Sequence, residues 1–290
     1  YLESKFLYDE RGSYLFEQIC AQPEYYPTRT ELGILRARAG EIAALIGPEA
    51  HVIELGAGAL EKVGLLLAAL ERPAGFTAID ISGDHLKQAA EALAGQFPDI
   101  DMSAVCADYT ADYTLPEALG RGARRRVGFF PGSTIGNFTP EAAARFLQRQ
   151  KRVFGQGGLM IVGVDLKKDK AILDAAYDDA AGVTAAFNLN MLAHINAELG
   201  ADFDLDRFAH HAGYYPERGR VEMHLESLAE QTAHVAGEAF YFAKGEHIHT
   251  ENSCKYDIAE FQDLARRAGW TPRAVYTDPD TMFSLHALEA

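Results

Sequence analysis

Two glycines stand between an apolar run and a helical pattern early in the chain. The apolar run 52–55 leads into Gly56 and Gly58, after which Leu60, Val63 and further leucines recur at helical spacing. This order predicts a strand, a tight turn and a helix. Glycines let the backbone approach a ligand closely, and the N–H groups at a helix start attract polar or anionic groups. The segment therefore predicts a nucleotide-binding turn.

Acidic residues around this turn indicate which nucleotide it binds. Glu61 occupies the third glycine position of the dinucleotide fingerprint G-x-G-x-x-G, where it would crowd the helix and repel a pyrophosphate. Glu54 suits a cation such as the sulfonium of S-adenosylmethionine (SAM). Asp80 ends a second predicted strand about 20 residues beyond the glycines, where an acid typically binds ribose hydroxyls. SAM is favoured over NAD, and a turn that merely closes a strand–helix unit is the third interpretation.

Two further predicted strands also end in polar residues. The strand 102–106 leads to Asp108 and Tyr109, which could bind and stack on adenine. The strand 127–130 opens into a loop that contains Gly132 and Asn137. Loops after the carboxyl ends of parallel strands bind ligands in open α/β sheets. The amide of Asn137 offers a donor and an acceptor, although the loop equally resembles a cap region before the next helix.

The order of elements predicts an α/β fold, a Rossmann-like SAM-dependent methyltransferase domain with a second α+β substrate-binding domain. Five strand–helix alternations end with a strand over 159–164, and a helix with a terminal hairpin closes the chain. Between them lie a helical stretch, 167–200, and turn-rich and strand-like segments. We therefore assign residues 32–166 and 256–290 to the SAM-binding domain, and residues 1–31 and 167–255 to the substrate-binding domain.

The second predicted domain contains three further groups of candidate residues. Tyr25 belongs to a loop tyrosine pair before Pro27, which should break any helix and leave Thr30 to cap the next one. Tyr177, Thr184 and Met191 recur every seven residues on one predicted helix face, which is usual for core residues. In H-I-H-T-E-N-S, alternation would place His247, His249, Glu251 and Ser253 on one strand face, where two histidines and a glutamate could ligate a metal or bind a polar ligand.

Composition limits the classes of partner. The 290 residues carry 42 acidic and 27 basic side chains, a formal charge of −15. Nucleic acids and anionic membranes require basic surface, so we expect neither as a partner. Three widely spaced cysteines indicate no disulfide framework or zinc knuckle, and we expect a cytoplasmic protein without a membrane span.

Long motifs then permit a family resemblance that covers essentially the whole chain. The chain resembles the histidine-specific methyltransferases of ergothioneine biosynthesis in six ordered segments, Y-D-E-R-G-S-Y-L-F-E-Q-I, P-E-Y-Y-P-T-R-T-E, G-S-T-I-G-N-F, Y-D-D-A-A-G-V-T-A-A-F-N, N-A-E-L-G-A-D-F-D and I-H-T-E-N-S. The family uses SAM to methylate the α-amino group of L-histidine three times, which gives hercynine. The resemblance implies this activity. We also expect a monomer, and no metal, because in-line methyl transfer depends mainly on holding the two centres close and aligned.

The resemblance also implies two sets of site residues. The SAM set is Gly56, Lys62, Asp80, Asp108 and Tyr109. The L-histidine set is Tyr25, Gly132, Asn137, Tyr177, Thr184, Met223, Glu251 and Ser253, with Tyr25 beside the reacting nitrogen as the catalytic residue. Two departures from the family pattern are the glycine turn G-A-G-A-L, which lacks the usual hydroxyl residues, and Cys254, which replaces a tyrosine.

Three other functions compete with this one, and one of them is an NAD-dependent dehydrogenase. Related methyltransferases act on other aromatic amino acids, such as tryptophan derivatives, but Glu251 and Met223 favour the smaller, polar imidazole. A protein that binds SAM without transferring its methyl group would not need the full set of polar substrate residues.

Overall fold

The computed structural model describes the chain except residues 59, 82, 112, 114, 116–119 and 121 and the side chains of residues 84 and 85. Ala59, in the glycine turn G-A-G-A-L, lies outside the described residues, as does Arg121, the first residue of a basic run over 121–126 that we expect to cap a helix or face solvent. The chain forms two compact units. The small-sheet unit comprises Tyr1–Tyr26 and Lys168–Cys254, and the large-sheet unit comprises Pro27–Lys167 and Lys255–Ala290.

The large-sheet unit is built on seven strands in the order β11-β12-β5-β4-β1-β2-β3. Strands β1 to β5 are mutually parallel, and β12 is antiparallel to both of its neighbours. The strands are β1 (Ala50–Leu55), β2 (Gly75–Asp80), β3 (Met102–Cys106), β4 (Arg125–Phe130), β5 (Leu159–Asp165), β11 (Thr271–Thr277) and β12 (Phe283–Glu289). Because β1 lies between β2 and β4, the chain reverses its direction of winding beside the glycine turn, where such sheets bind ligands. The α/β prediction with a second, smaller α+β region is confirmed.

Helices of the large-sheet unit pack against a sheet whose central strands are buried. They are α2 (Tyr26–Ile46), α3 (Glu61–Ala69), α4 (Gly83–Gln96), α5 (Pro140–Phe154) and α8 (Ile258–Arg267). Every residue of β1 and β5 is buried, as expected for strands that are covered on both faces. None of the described helices is both long and apolar enough to cross a bilayer.

The start of α2 differs from the sequence prediction. We expected Pro27 to break the chain and Thr30 to cap the next helix, but α2 already begins at Tyr26. Proline lacks the N–H that a helix interior needs, yet in the first turn that N–H has no helical partner. Pro27 therefore fits within the first turn, and the boundary between the units falls between Tyr26 and Pro27 rather than after residue 31.

The small-sheet unit combines three helices with two antiparallel sheets. The helices are α1 (Glu10–Cys20), α6 (Lys170–Tyr177) and α7 (Val183–Leu199). One sheet has the order β10-β7-β6 and the other pairs β8 with β9, where the strands are β6 (Phe208–Tyr215), β7 (Arg220–Ser227), β8 (Gln231–Val235), β9 (Glu238–Phe242) and β10 (His247–Cys254). Leu192 of α7 packs with Phe208, Leu225 and Ile248 in the core of this unit.

Three details of this unit differ from the sequence predictions. The spacing of Leu15, Phe16 and Ile19 predicts a first helix that opens near Ser13, but the helix begins at Glu10 with Asp9 as its cap. The sequence does not predict β6 or β8, and β6 extends to Tyr215, into the glycine-containing segment 213–219 that predicts turns. The predicted stripe of residues at seven-residue spacing is interrupted, because Tyr177 ends α6 whereas Thr184 and Met191 lie on α7. Gly182, which adopts a left-handed backbone conformation, separates the two helices.

Candidate active site

The glycine turn after β1 lies against an aromatic side chain. Gly56 has a φ of +72°, a conformation that side chains rarely adopt, and a Cβ at this position would lie 3.3 Å from the Tyr109 hydroxyl. Tyr109 in turn packs edge-on against Phe130 and Phe146. The turn predicted at Gly56 is therefore present, and the structure brings Gly56 and Tyr109 together across two strand ends.

Asp80 and Asp108 end the two strands beyond this turn. Asp80 is the last residue of β2, and its negative charge contributes to raising the pKa of both Glu54 and Tyr109, although burial is the larger cause for each. Asp108 accepts hydrogen bonds from the backbone N–H and the hydroxyl of Thr110, at 2.8 and 2.5 Å. The carboxylates of both residues thus lie at the carboxyl edge of the parallel sheet.

Glu54 is a buried carboxyl group at the end of β1. Burial raises its pKa to about 8, the charges of Glu31 and Asp80 act in the same direction, and Lys62 opposes them. Its Oε2 atom is buried and has no hydrogen-bond partner among the described residues. An unsatisfied buried carboxyl oxygen is costly, so this position suits a ligand that brings a donor or a positive charge.

Glu31 connects Lys62 with the loop after β4. Its fully buried side chain lies 2.6 Å from Lys62 Nζ and accepts a hydrogen bond from the Gly132 N–H at 2.8 Å. A Cβ on Gly132, whose φ is +75°, would lie 3.5 Å from Lys62 Nζ. Sequence reasoning did not single out Glu31. Its only signal was its place at the end of the motif P-E-Y-Y-P-T-R-T-E.

These residues fit SAM. The buried oxygen of Glu54, which has no partner among the described residues, suits a positively charged ligand. Gly56 lets the backbone approach the nucleoside part of such a ligand closely. The Glu31 carboxylate holds Lys62 in place beside Gly132, where an ammonium group could bind a ligand carboxylate.

Asn137 does not cap the helix that follows it. It ends a short 3₁₀ helix, Thr134–Asn137, and the cap of α5 is Thr139, whose hydroxyl accepts from the Ala142 N–H at 3.3 Å. The structure thus removes the capping interpretation of Asn137, and its side chain is half-buried in the large-sheet unit.

In the small-sheet unit, a buried polar cluster joins three predicted residues. The Tyr177 hydroxyl and the Ser253 hydroxyl are 2.6 Å apart, and the rings of Tyr25 and Tyr177 pack edge-on with centroids 6.3 Å apart. His210 fixes the end of α6 by donating from Nε2 to the Tyr177 carbonyl at 2.9 Å, because its Nδ1 accepts from Asn188.

Glu251 belongs to the same cluster. Burial raises the pKa of the Tyr25 phenol well above its ordinary value, and the neighbouring Tyr177 and Glu251 add to this effect. Tyr25 therefore remains a neutral phenol at physiological pH and can donate a hydrogen bond. The structure brings Tyr25, Tyr177, Glu251 and Ser253 together.

The predicted common face of His247, His249, Glu251 and Ser253 is wrong. A β-bulge between His249 and Glu251 interrupts the alternation, so His249 pairs with His224, whereas Glu251 pairs with Met223 and Ser253 with Val221. Paired residues lie on the same face of a sheet, and Met223 and His224 lie on opposite faces. Glu251 is thereby separated from both histidines, and the metal set His247, His249 and Glu251 does not form.

Thr184 lies in the first turn of α7, where its N–H donates to Asp179 Oδ1 at 2.7 Å. Burial by itself would raise the pKa of Asp179, but the hydrogen bonds that its carboxylate accepts, chiefly from Thr184 and Val183, together outweigh burial and lower the pKa. Asp179 thus holds the start of this helix, and with it the buried Thr184 side chain.

Comparison with known proteins identifies the family. Residues 1–290 match the model of the histidine-specific, SAM-dependent methyltransferases. The chain is 42% identical to the histidine N-alpha-methyltransferase of Mycolicibacterium smegmatis, over 98% of this chain and 88% of the relative. It is 32% identical to ergothioneine biosynthesis protein 1 of Neurospora crassa, over 92% of this chain but 31% of that longer protein.

A solved structure extends the comparison to the fold. An O-methyltransferase family 2 protein from Planctomyces limnophilus superposes with a TM-score of 0.50 at 10% identity, covering 98% of this chain and 63% of that one. This similarity shows the fold alone, whereas the family match and the identity to the mycobacterial enzyme extend over nearly the whole sequence. The chain therefore belongs to the family of SAM-dependent, histidine-specific methyltransferases.

Proposed function

We propose that this enzyme transfers three methyl groups from SAM to the α-amino nitrogen of L-histidine, giving hercynine for ergothioneine biosynthesis. The observation that carries the proposal is the buried cluster of Tyr25, Tyr177, Glu251 and Ser253 in the small-sheet unit. A buried carboxylate beside two phenols and a hydroxyl suits a small, polar, hydrogen-bonding substrate better than an apolar one.

Glu251 would recognise the imidazole ring. A carboxylate that accepts an imidazole N–H forms a charge-assisted hydrogen bond, and the Ser253 hydroxyl can complete the ring contacts. Met223, paired with Glu251 across the sheet, supplies an apolar surface of limited size. This combination favours imidazole over indole, which is the ring of the competing substrate class.

Tyr25 would act at the amino group. Because its phenol stays neutral, it can orient the nitrogen by hydrogen bonding and pass protons to water. A stronger base is not needed, since deprotonation of an amine near neutral pH is only modestly unfavourable. The substrate carboxylate would be bound by Asn137 and Tyr177 as neutral donors, with Gly132 and Thr184 nearby.

The large-sheet unit would hold SAM through Gly56, Lys62, Asp80, Asp108 and Tyr109. SAM supplies a methyl group on a positively charged sulfur. Asp80 would bind the ribose hydroxyls, Asp108 and Tyr109 the adenine, and Lys62 the carboxylate, with Glu31 fixing the lysine. In-line transfer depends mainly on alignment, so positioning by these side chains would provide most of the catalysis, without a metal.

The remaining features of the proposal concern partners and location. We infer a cytoplasmic monomer that binds neither nucleic acid nor membranes. The formal charge of −15 supports the absence of polyanionic partners, since these need basic surface.

Replacement of Glu251 tests the substrate assignment. We expect Glu251→Ala to lower kcat/KM for L-histidine by roughly 10²-fold, because a charge-assisted hydrogen bond contributes up to about 3 kcal/mol. The variant should also discriminate less against tryptophan, since the unpaired buried carboxylate that penalises other rings is gone. Mass spectrometry of amino acids incubated with SAM and each variant measures both effects.

The matched control is Glu226→Ala, which removes an acid from the opposite face of the same sheet and should leave activity unchanged. A Glu251→Ala enzyme that retains its full preference for histidine would refute the role of this carboxylate. Loss of wild-type activity on adding a chelator would refute the metal-free mechanism.

A further inference from the structure

The outer face of the three-stranded sheet carries a row of histidines that the methyl-transfer site does not use. His211 of β6, His224 of β7 and His249 of β10 are direct cross-strand partners. The rings of His224 and His249 stack with centroids 4.8 Å apart, and His247 lies edge-on to both His211 and His224. Four imidazoles therefore lie side by side on a single sheet face.

An acid completes the group. One ligand-type atom from each of Glu222, His224 and His249 can be chosen so that all three lie within 4.8 Å of one another. Tetrahedral metal sites hold their ligands at about 2.0–2.2 Å from the metal, so these atoms need only a small inward movement to meet a common ion.

The hydrogen bonds around the cluster leave each of the two histidines a nitrogen that can coordinate a metal. The His249 Nε2 lies 2.9 Å from the Glu251 carbonyl, to which it donates, so its Nδ1 carries the lone pair. Such a bond from the remote nitrogen to a backbone carbonyl is typical of metal-bound histidines. The Nε2 of His224 lies 3.5 Å from Glu222 Oε2, and its buried Nδ1 has no partner in the part of the chain that the structure describes.

Two arginines hold the carboxylate of Glu222 from the other side. Arg220 and Arg218 contact Oε1 at 2.6 and 2.9 Å, whereas the oxygen that faces His224 is Oε2. Arg218 also lies 3.2 Å from Oε2. The arginines thus orient the carboxylate as outer partners but also reduce its charge, which predicts a metal site of moderate affinity.

We propose that Glu222, His224 and His249 bind a divalent transition metal of the zinc and copper class. Two imidazoles with one carboxylate are ligands that such ions prefer over magnesium or calcium, which require oxygen. His211 and His247 are exposed on the same face of the sheet and are not members of this group. The bulge keeps this site on the face opposite Glu251 and Ser253, so the metal takes no part in methyl transfer.

Zinc titration of the full-length protein tests the proposal. We expect calorimetry to show one Zn²⁺ per chain, with Mg²⁺ giving no binding, and an upward shift of the melting temperature with zinc. His224→Gln and His249→Gln should each weaken zinc binding by ~10-fold or more, the scale found even for changes to the outer partners of metal ligands. The control is His234→Gln, which removes an exposed histidine that pairs with Asp202 instead. It should bind zinc like the wild type.

Two results would overturn the site. Either the wild type shows no saturable binding of zinc, or both His224→Gln and His249→Gln bind zinc as tightly as the wild type. SAM affinity, measured on the same samples, should be unchanged in all three variants and reports that each is folded. If a variant fails this check, His224→Asn or His249→Asn replaces it. Zinc binding by the replacement as tight as that of the wild type would then count against the site in the same way.

Discussion

Three buried glutamates, each with different partners, account for much of the chemistry at the level of single residues. Glu31 is paired with Lys62 and a backbone N–H, Glu54 has a carboxyl oxygen without a partner among the described residues, and Glu251 lies beside the phenol of Tyr25. A paired acid fixes its neighbours, whereas one with an unsatisfied oxygen suits a cationic ligand. Glutamate thus positions a neighbouring lysine in one place, and in the proposed function two other glutamates would receive the cofactor and select the substrate.

Asp80→Ala should weaken SAM binding. If the carboxylate accepts from both ribose hydroxyls, its loss removes about 1.5–3 kcal/mol, which is roughly a 10- to 100-fold increase in Kd. Calorimetry with SAM measures the change, and Asp99→Ala, an exposed acid before β3, is the control. Unchanged affinity in Asp80→Ala would exclude the ribose contact.

Tyr25→Phe should lower kcat more than it raises KM for L-histidine. The phenol is proposed to contact the nitrogen whose protonation changes, whereas other residues bind the ring and the carboxylate, so its removal affects mainly the transition state. Steady-state kinetics at saturating SAM separates the two constants. An increase in KM with kcat unchanged would place Tyr25 away from the reacting amine.

Local sequence position was enough to predict some of these residues but not others. Glu54 and Asp80 end apolar runs, so a single strand prediction locates each of them. Glu31 is 101 residues away from Gly132, its backbone partner, and nothing nearby in sequence signals that contact. Long-range pairing, rather than residue type, limits what could be found from sequence.

At the level of secondary structure, the strongest sequence signals came from elements buried on both faces. The bounds of β1, β2, β4 and β5 were predicted to within two residues, because continuous apolar runs bounded by glycine or acids are distinctive. The bounds of β3, a partly exposed strand at the edge of the sheet, were predicted as observed. The strand β6 reads F-A-H-H-A-G-Y-Y, in which histidines and a glycine conceal the alternation. The bulge in β10 leaves no signal in composition.

Asp9 should stabilise the small-sheet unit more than an ordinary helix cap does. Its Oδ1 accepts from the Gly12 N–H and from Asn190 of α7, both at 2.7 Å, so it caps α1 and ties it to a second helix. We expect Asp9→Ala to lower the free energy of unfolding by about 2–3 kcal/mol, since the buried Asn190 amide also loses its acceptor. Urea titration monitored by circular dichroism measures this change.

The control for Asp9 is Asp169→Ala. Asp169 caps α6 through one exposed hydrogen bond to the Ala171 N–H, so its loss should cost only about 1 kcal/mol. Equal destabilisation by the two substitutions would mean that the bond to Asn190 contributes nothing.

For the whole molecule, Glu54 should make stability depend on pH. Its pKa is about 8 in the folded protein against an ordinary 4.5, so the folded state holds one more proton than the unfolded state between these values. Stability from this group is therefore present at low pH and lost as pH rises, by about 1.4 kcal/mol per pH unit. In the absence of SAM, Glu54→Gln should remove this slope.

Urea unfolding at several pH values compares the wild type with Glu54→Gln and with the exposed control Glu91→Gln. The difference between wild type and Glu54→Gln should grow from pH 5 towards about pH 8, whereas Glu91→Gln should follow the wild type. A constant difference across this range would mean that Glu54 is already ionised in the folded protein.

Sequence identity over nearly the whole chain identifies the family of the protein, whereas similarity of the fold identifies only its architecture. The O-methyltransferase structure shares the architecture at 10% identity, so the architecture alone does not specify what is methylated. In the proposed function, specificity instead depends on side chains such as Glu251 and Ser253, in a unit where the sequence motifs are long and the elements were hardest to predict.

The bulge in β10 has a consequence for insertions and deletions. Thr250 is the extra residue, because the pairing passes from His249 opposite His224 directly to Glu251 opposite Met223. A relative that lacks this one residue would form a regular ladder with the same residue pairs. Such a deletion would therefore leave every side chain of the strand on the face that it occupies here. A gap elsewhere in the strand would carry every side chain beyond it to the opposite face. The length of β10 can therefore vary at Thr250 while His249 stays on one face of the sheet and Glu251 and Ser253 stay on the other.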